Sequence, residues 1–328
     1  MQQATGINST ATASGGVMSS LAAYGPTYGA LAALVLLIVF NAIFTRNFAT
    51  PDNLWNTLLQ MTPTVLVATG MTLVIATGGI DLSVGSVMAI ASALAATLIA
   101  GGTGVGVAVL LALAVACGFG ALNGALISGF RIQPIIVTLA LLIAGRGAAQ
   151  VISQGGQLIP LNNPTFGYLG RGYVGPVPAQ VLMLVVVAIV AVFVMQRSSF
   201  GRYVVAVGGN EAAARLAGIK THRTKITVYA ISGLLAGIAG LIETARLGAS
   251  DAAKVGLNIE LDAIAAVVVG GTPLTGGRAT VVGTIIGALI MQIISMTFIM
   301  NDIRFSWSLV LKAAIILIAV YVQRPKVA

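Results

Sequence analysis

Two glycine-rich stretches decide the fold: GGIDLSVG at Gly78–Gly85 and GGTPLTGG at Gly270–Gly277. They share the frame G-G-x-x-L-[S/T]-x-G, and each follows an apolar segment. Paired glycines together with Asp81 or Pro273 cannot continue a helix cheaply, since Gly costs about 1 kcal/mol and Pro about 3 kcal/mol relative to Ala. The repeated frame therefore predicts two interrupted helices at corresponding positions in two halves of the chain.

The composition identifies the surroundings of these helices. Of the 328 residues, 58% are apolar and only 8% are charged, with a mean hydropathy of +1.01. About a quarter of the residues of a soluble domain are charged, so soluble, disordered and nucleic-acid-binding classes are excluded. The single cysteine, Cys117, excludes an internal disulfide and a multi-cysteine metal site. We therefore expect an all-α integral membrane protein.

Runs of about 20 apolar residues between charges mark the membrane crossings. They predict ten segments and three regions: a disordered cytoplasmic tail at 1–27, a transmembrane domain at 28–323, and a cytoplasmic tail at 324–328. The segments are 28–44, 58–76, two within 82–130 separated by the glycine-rich turn at 101–106, 132–153, 179–196, 226–245, a short piece at 261–269, 279–300 and 305–322. Residues 155–178 are expected to form an external loop.

The distribution of Lys and Arg predicts the orientation, because these residues are enriched in cytoplasmic loops. If the basic loop at 197–225 is cytoplasmic, both termini are cytoplasmic and most of the basic residues lie on that side. The cytoplasmic residues are Arg131, Arg197, Arg202, Arg215, Lys220, Arg223, Lys225, Arg278, Arg324 and Lys326. The external ones are Arg46, Arg171, Arg246, Lys254 and Arg304.

Helix breaks inside a membrane free backbone groups that protein or a water-lined cavity must satisfy. Matching breaks in two halves are typical of transporters whose pathway lies at the repeat interface. Alternatively, the frames are ordinary turns in which Ser83 and Thr275 cap the helices that follow. The candidate pathway residues are Gly78, Gly79, Asp81, Ser83, Gly270, Gly271 and Thr275.

Three of the charged residues within or beside the membrane segments are candidates for a specific role. Asp81 is the single acidic residue between Asp52 and Glu211, and an intramembrane carboxylate suggests ion coupling or acceptance of a solute hydroxyl. The alternative is a structural charge at the N-terminus of the next helix. Arg146 and Lys312 lie inside segments, where each would extend to the interface or pair with a carboxylate.

Glycines spaced four residues apart predict close contacts between helices, because small residues let two backbones approach. Four such pairs occur. They are Gly102 and Gly106, Gly120 and Gly124, Gly233 and Gly237, and Gly283 and Gly287.

The stretch GGNEAAARLAGIK, which begins at Gly208, predicts a short helix in the basic loop. Asn210 is a good N-cap, Glu211 suits the first turn, and Gly218 is placed to end the helix. A helix over 211–217 is too short to be stable alone in water. It would dock on a partner protein or lie on anionic lipid headgroups beside its basic neighbours.

The sequence lacks the residues for catalysis. No Gly-Lys dipeptide occurs, so the phosphate loop of ATPases is absent. His222 is the only histidine, which argues against metal-dependent or histidine-based hydrolysis. We expect no catalytic residue, no metal site and no bound cofactor in this chain.

Four stretches resemble the permease subunits of bacterial sugar ABC importers, such as those for ribose, xylose, arabinose, galactose and galactofuranose. They are MTLVIATGGIDLSVGSVMAI at 71–90, RIQPIIVTLALLIAGRG at 131–147, GGNEAAARLAGI at 208–219 and ELDAIAAVVVGGTPLTGGR at 260–278. They occur in order along the chain, and the resemblance extends over roughly residues 48–322.

This resemblance implies a multi-pass subunit of the bacterial inner membrane that translocates a pentose or hexose. It would pair with a second permease copy or homologue, receive sugar from a periplasmic binding protein, and be driven by cytoplasmic ABC ATPase subunits that use ATP and Mg. The segment 208–219 would then seat in the ATPase, with Gly208, Asn210, Glu211, Arg215 and Gly218 as its coupling residues. Two alternatives remain: an ion-coupled secondary transporter that uses Asp81, and a membrane scaffold without transport activity.

Overall fold

The computed structural model describes residues 16–323, which form helices joined by loops and two short antiparallel strand pairs. The helices are α1 (Gly16–Phe44), α2 (Pro51–Ala76), α3 (Val84–Ala100), α4 (Val105–Phe130), α5 (Pro134–Ile152), α6 (Pro164–Arg171), α7 (Ala179–Arg197), α8 (Ser199–Gly209), α9 (Glu211–Leu216), α10 (Thr221–Leu247), α11 (Ile259–Val269), α12 (Val281–Met300) and α13 (Phe305–Gln323). The strands are β1 (Ile159–Pro160), β2 (Tyr173–Val174), β3 (Val177–Pro178) and β4 (Ala249–Ser250); β1 pairs with β4, and β2 pairs with β3.

Each of the ten predicted membrane segments corresponds to a helix. Within residues 16–323, seven helices are long and apolar enough to cross a membrane: α1 from Thr27 onward, α2, α4, α5, α7, α10 and α12. Helices α3 and α13 are shorter apolar helices, and α11 matches the predicted short piece. The chain is therefore an all-α, multi-pass membrane protein, as the composition predicted.

Three boundaries differ from the prediction. Helix α1 already begins at Gly16, inside the predicted tail, whereas residues 1–15 and 324–328 lie outside the described part of the chain. Helix α2 begins at Pro51, because the Thr50 hydroxyl accepts the Asn53 N–H at 3.3 Å and proline suits the first helical position. The predicted loop at 155–178 contains α6 and three of the strands, so much of it has regular structure.

Helix α10 lies at the centre of the bundle and packs against α2, α3 and α4. Its contact with α4 depends on glycine, because an added Cβ at Gly120 would overlap the Tyr229 carbonyl oxygen and one at Gly233 would overlap the Ala116 carbonyl oxygen. The peripheral helices expose large apolar side chains, such as Leu36 on α1, which suits contact with lipid.

Three of the four predicted glycine pairs lie at close helix contacts, with Gly283 and Gly287 packing against the end of α11. The prediction for Gly102 and Gly106 is wrong. No atom of the described residues lies within 4 Å of a Cβ added at either position. Gly102 lies in the turn between α3 and α4, where its φ of 87° favours glycine, and Gly106 lies in the first turn of α4 without a close neighbour among the described residues.

Helix α11 is too short to cross the hydrocarbon core, and α3 is at the lower limit of length for a crossing. Helix α3 has 17 residues and α11 has 11, which at 1.5 Å per residue correspond to about 25 Å and about 16 Å. The hydrocarbon core is about 30 Å thick. Each of these helices adjoins one of the two glycine frames, so the frames are true interruptions of membrane helices.

Candidate functional site

Both glycine frames are unwound, as their sequences predicted. The first frame lies between the end of α2 at Ala76 and the start of α3 at Val84; the second separates α11 from α12. Left-handed backbone angles make the turns: φ is 79° at Gly78 and 94° at Gly271. Residues with a Cβ are strained at these φ values, which accounts for glycine at positions 78 and 271.

The two frames contact each other, although they are far apart in sequence. The Gly277 N–H donates a hydrogen bond of 3.0 Å to the carbonyl oxygen of Ala76. A Cβ added at Gly276 would lie 2.8 Å from the backbone nitrogen of Gly78, so these backbones are in direct contact. Deeper in the bundle, the hydroxyls of Thr72 on α2 and Thr284 on α12 are hydrogen-bonded at 2.7 Å.

Hydroxyl groups satisfy the backbone of the second frame. The Thr272 hydroxyl oxygen accepts the Thr280 N–H at 3.0 Å and is hydrogen-bonded to the Thr280 hydroxyl at 2.8 Å. The Thr280 hydroxyl also lies 3.2 Å from the Gly270 carbonyl oxygen. The hydroxyls of Thr272 and Thr280 thus satisfy backbone groups at the start of the second frame and just after its end, in keeping with the cost of unpaired backbone groups in a membrane.

The candidate pathway residues divide into an accessible and a buried group. Gly78 and Thr275 are exposed in the isolated chain. The others are buried: Gly79, Asp81, Ser83, Gly270 and Gly271. If the frames line a pathway, Gly78 and Thr275 provide its surface, and the buried residues form the layer behind it.

The proposed helix caps within the frames are not found. Ser83 stands at the N-cap position of α3, but its side chain makes no capping hydrogen bond within the described residues. Helix α12 begins only at Val281, with Thr280 at its N-cap position, so Thr275 is too far upstream to cap it. The hydroxyls of Ser83 and Thr280 instead join side-chain networks.

Asp81 lies in a closed hydrogen-bond network. Its Oδ1 accepts the N–H of Ser83 at 3.0 Å and the Ser83 hydroxyl at 2.6 Å, while its Oδ2 accepts the Ser232 hydroxyl at 2.9 Å. The Asn123 amide donates to the Ser83 hydroxyl oxygen at 2.9 Å. Asp81 therefore connects the start of α3 to α10 and, through Ser83, to α4.

Ser232 and Asn123 were not singled out from the sequence. The available signal was their polarity: each is a hydrogen-bonding side chain within an otherwise apolar segment, where lipid cannot satisfy it. Their common partner could not be inferred, because α4, α10 and the first frame are separated along the chain.

The two basic residues within segments are satisfied by protein. Arg146 donates to the carbonyl oxygens of Ala252 at 3.0 Å and Val255 at 2.7 Å, and so holds the loop before α11. Lys312 pairs with the carboxylate of Asp262 at 3.2 Å. Pairing with a carboxylate is confirmed for Lys312, whereas Arg146 hydrogen-bonds backbone carbonyls.

The short helix α9 is capped at both ends, as predicted. Asn210 Oδ1 accepts the Ala213 N–H at 3.0 Å. At the other end Gly218 has φ 83°, and the N–H groups of Gly218 and Ile219 donate to the carbonyls of Arg215 and Ala214 at 3.0 Å each. This pair of hydrogen bonds is the Schellman motif. These capping hydrogen bonds therefore stabilise a helix that is too short to be stable in isolation.

The charged groups of α9 also fix it to α10. Glu211 forms ion pairs with Lys225 at 2.6 Å and with Arg215 at 3.4 Å. Partial burial raises the pKa of the Glu211 carboxyl, but the hydrogen bond and positive charge of Lys225 outweigh it, so the pKa lies below its ordinary value. Leu216, the last residue of α9, is 92% exposed.

Comparison with known proteins assigns the family. The sequence profile of the family described as branched-chain amino acid transport system / permease component matches residues 53–320. The ribose import permease protein RbsC of Escherichia coli (strain K12) is 41% identical over 299 residues, covering 90% of this chain and 93% of the relative. RbsC of Bacillus subtilis (strain 168) is 40% identical over 312 residues, covering 95% of this chain and 94% of the relative.

The galactofuranose transporter permease protein YtfT of Escherichia coli (strain K12) is 38% identical over 278 residues, covering 85% of this chain and 80% of the relative. No solved structure matches the chain significantly. The profile and the relatives span both glycine frames and the segment around α9. The resemblance to sugar importer permeases is thereby confirmed, and the chain belongs to this family of transport permeases.

Proposed function

We propose that this chain is the membrane-spanning subunit of an ABC importer that moves a monosaccharide, a pentose or a hexose, across the bacterial inner membrane. The names of its relatives, which include ribose and galactofuranose permeases, support a sugar as the substrate. The complex would contain a second permease copy or homologue, a periplasmic binding protein and cytoplasmic ATPase subunits. Selection of the sugar would rest mainly with the binding protein.

The exposed helix α9 is the observation that carries this proposal. It is held rigidly by its caps and by Lys225, yet its largest apolar side chain, Leu216, is 92% exposed. Such a side chain gains when a protein groove covers it, because burial of an exposed leucine contributes about 1.5–3 kcal/mol. A cytoplasmic ATPase is the partner that an import permease requires, so we assign this surface to it.

The basic residues around α9 support a cytoplasmic position for this side of the bundle. The loop at 197–225 is rich in Lys and Arg, and such loops remain cytoplasmic. With ten membrane segments, both termini would lie on the same side as α9. In this orientation, the loop carrying α6 faces the periplasm and the binding protein.

Transport itself would require no covalent chemistry in this chain. ATP and Mg would act in the partner ATPase, and ATP binding and hydrolysis would change the populations of inward-open and outward-open arrangements. The accessible parts of the frames, Gly78 and Thr275, would offer backbone groups and a hydroxyl to the hydroxyl groups of the sugar.

The geometry gives little support to ion coupling through Asp81. Both carboxylate oxygens are hydrogen-bonded to serine groups, and the residue is 1% exposed. A coupling carboxylate must exchange its ion with the pathway. The network is better suited to positioning the start of α3, which favours the ATP-driven mechanism over the ion-driven one.

Capture of the ATPase tests the proposal. The permease is co-expressed with the ATPase subunit of a sugar importer from the same organism, and the amount of ATPase that co-purifies is measured. Leu216→Glu should reduce capture by at least about tenfold, because losing the burial of a leucine costs about 1.5–3 kcal/mol and about 1.4 kcal/mol corresponds to a factor of ten in affinity. Leu158→Glu serves as the control, because Leu158 is also exposed, at 60%, but lies in the loop that contains α6. Undiminished capture by Leu216→Glu, or an equal loss in both variants, would contradict the assignment.

A further inference from the structure

Three separate backbone segments meet at one point on the side of the bundle that carries α9. They are the end of α2 at Ala76, the last turn of α8 at Gly208, and Gly277 of the second frame. We call these three residues the backbone junction. The Gly277 N–H donates to the Ala76 carbonyl at 3.0 Å, and Gly208 lies against both of these residues.

Gly208 leaves no room for a side chain in this junction. An added Cβ would overlap the carbonyl oxygen of Ala76 and would lie 2.6 Å from the backbone nitrogen of Gly277. Neighbouring contacts are similarly close: a Cβ added at Gly276 would lie 3.2 Å from the Gly208 carbonyl oxygen. The atoms that an added Cβ would meet all belong to the backbone. A change of side-chain rotamer therefore cannot relieve the overlap.

The junction is also close in sequence to the proposed docking surface. Only Gly209 stands between Gly208 and Asn210, the N-cap of α9. The chain also links α9 to α10 through residues 217–220, and the ion pair of Glu211 with Lys225 joins these two helices through side chains that can reorient as α9 moves. The backbone contact at Gly208 cannot stretch in this way, so a displacement of α9 acts directly on the ends of both helix breaks.

We infer that Gly208 is a positioning residue that couples the ATPase to the pathway: motion of α9 reaches both glycine frames through the backbone junction. This inference rests on the proposed function, because it assumes that an ATPase moves α9. The backbone junction, which would transmit the motion of α9, is distinct from the docking surface around Leu216. If the inference is correct, a side chain at position 208 uncouples the complex: the ATPase stays bound and hydrolyses ATP, but less sugar is transported for each ATP.

A pair of adjacent substitutions provides the test. Gly208→Ala places a methyl group in the junction, whereas a Cβ at Gly209 would lie 4.0 Å from the Gly277 Cα, an ordinary van der Waals separation. Both glycines lie in the last turn of α8. Replacement by alanine therefore raises the helix propensity of α8 similarly in the two variants. The complex with its ATPase and binding protein is reconstituted in vesicles, and sugar uptake per ATP hydrolysed is measured.

Gly208→Ala should retain the ATPase but lower uptake per ATP by at least about fivefold, the lower range of energetic coupling between sites. Gly209→Ala should stay within about twofold of the unsubstituted complex, since its methyl group fits. Equal uptake per ATP in Gly208→Ala and the unsubstituted complex, or an equal loss in both variants, would overturn the inference. Either result would leave ATPase docking on α9 intact, whereas failure of the unsubstituted permease to bind the ATPase would overturn the proposed function.

A second measurement covers the case in which Gly208→Ala fails to assemble. Hydrogen exchange is followed in the unsubstituted complex with and without ATP. Peptides that contain the end of α8 and residues 270–280 should change their protection together, because the Gly277 N–H is held by Ala76 beside Gly208. A change over α8 and α9 with unchanged exchange at 270–280 would overturn the inference.

Discussion

The carboxylate of Asp81 illustrates how one residue can position a broken helix. Its oxygens accept the backbone N–H and hydroxyl of Ser83 and the hydroxyl of Ser232. Each buried donor left without an acceptor costs about 1–3 kcal/mol. Asp81 thus fixes the beginning of α3 against α10 at the point where the backbone leaves the first frame.

Substitutions at Asp81 distinguish positioning from ion coupling. Asp81→Asn keeps an oxygen acceptor of the same shape, so ATP-driven uptake should persist at a reduced level. Asp81→Ala removes the acceptors and should lower stability by a few kcal/mol, because the donors become unpaired. Thermal unfolding of the purified protein and uptake by the complex measure both effects. Normal stability combined with complete loss of uptake in Asp81→Asn would instead support a coupling carboxylate.

The pKa of Glu211 makes the attachment of α9 depend on pH. Because the pKa is lower in the folded protein than the ordinary value of 4.5, the pair with Lys225 stabilises α9 fully above that value. The stabilisation is lost as the pH falls through the lowered pKa of the folded state. Glu211→Gln should therefore lower the unfolding temperature near neutral pH, and the difference from the unsubstituted protein should vanish in acid. A difference that grows on acidification would contradict the ion-pair account.

At the scale of elements, the crossing of α4 and α10 shows why small residues matter in this bundle. The backbones touch at Gly120 and Gly233, where an added Cβ would overlap a carbonyl oxygen of the opposite helix. Lipid does not drive helices together through a hydrophobic effect, so close backbone approach provides much of the packing energy.

Two glycines of α4 give a matched test of this contact. Gly120→Val should destabilise the protein by about 1–3 kcal/mol or more, the usual cost of overpacking. Gly118→Val should have little effect, since no described residue lies within 4 Å of an added Cβ there. Thermal unfolding in detergent compares the two variants. Equal unfolding temperatures would show that the close crossing is not required.

The elements were predictable because their signals are local. Charge-free runs located the segments, and Asn210 and Gly218 marked the ends of α9 within one residue. The partners of Arg146 were not predictable, because backbone carbonyls in a loop leave no side-chain pattern in the sequence. The backbone junction escaped prediction for the same reason: the glycines of the frames were visible, but not which other backbone they approach.

At the scale of the whole molecule, the repeated frames and the helix in the basic loop form one connected unit. The second frame contacts the end of α2 through Gly277, and the end of α8 lies against both. The first frame is connected to α10 through Asp81 and Ser232. A force on α9 therefore acts where the two halves of the bundle meet, as a transporter driven from one side requires.

Sugar uptake into vesicles tests the central claim most directly. The permease is reconstituted alone and together with its ATPase and binding protein, and uptake is measured with ATP or with an imposed proton or sodium gradient. We expect saturable uptake only in the complete complex supplied with ATP, with no dependence on the gradient. Accumulation of sugar by the permease alone, driven by an ion gradient, would contradict the account.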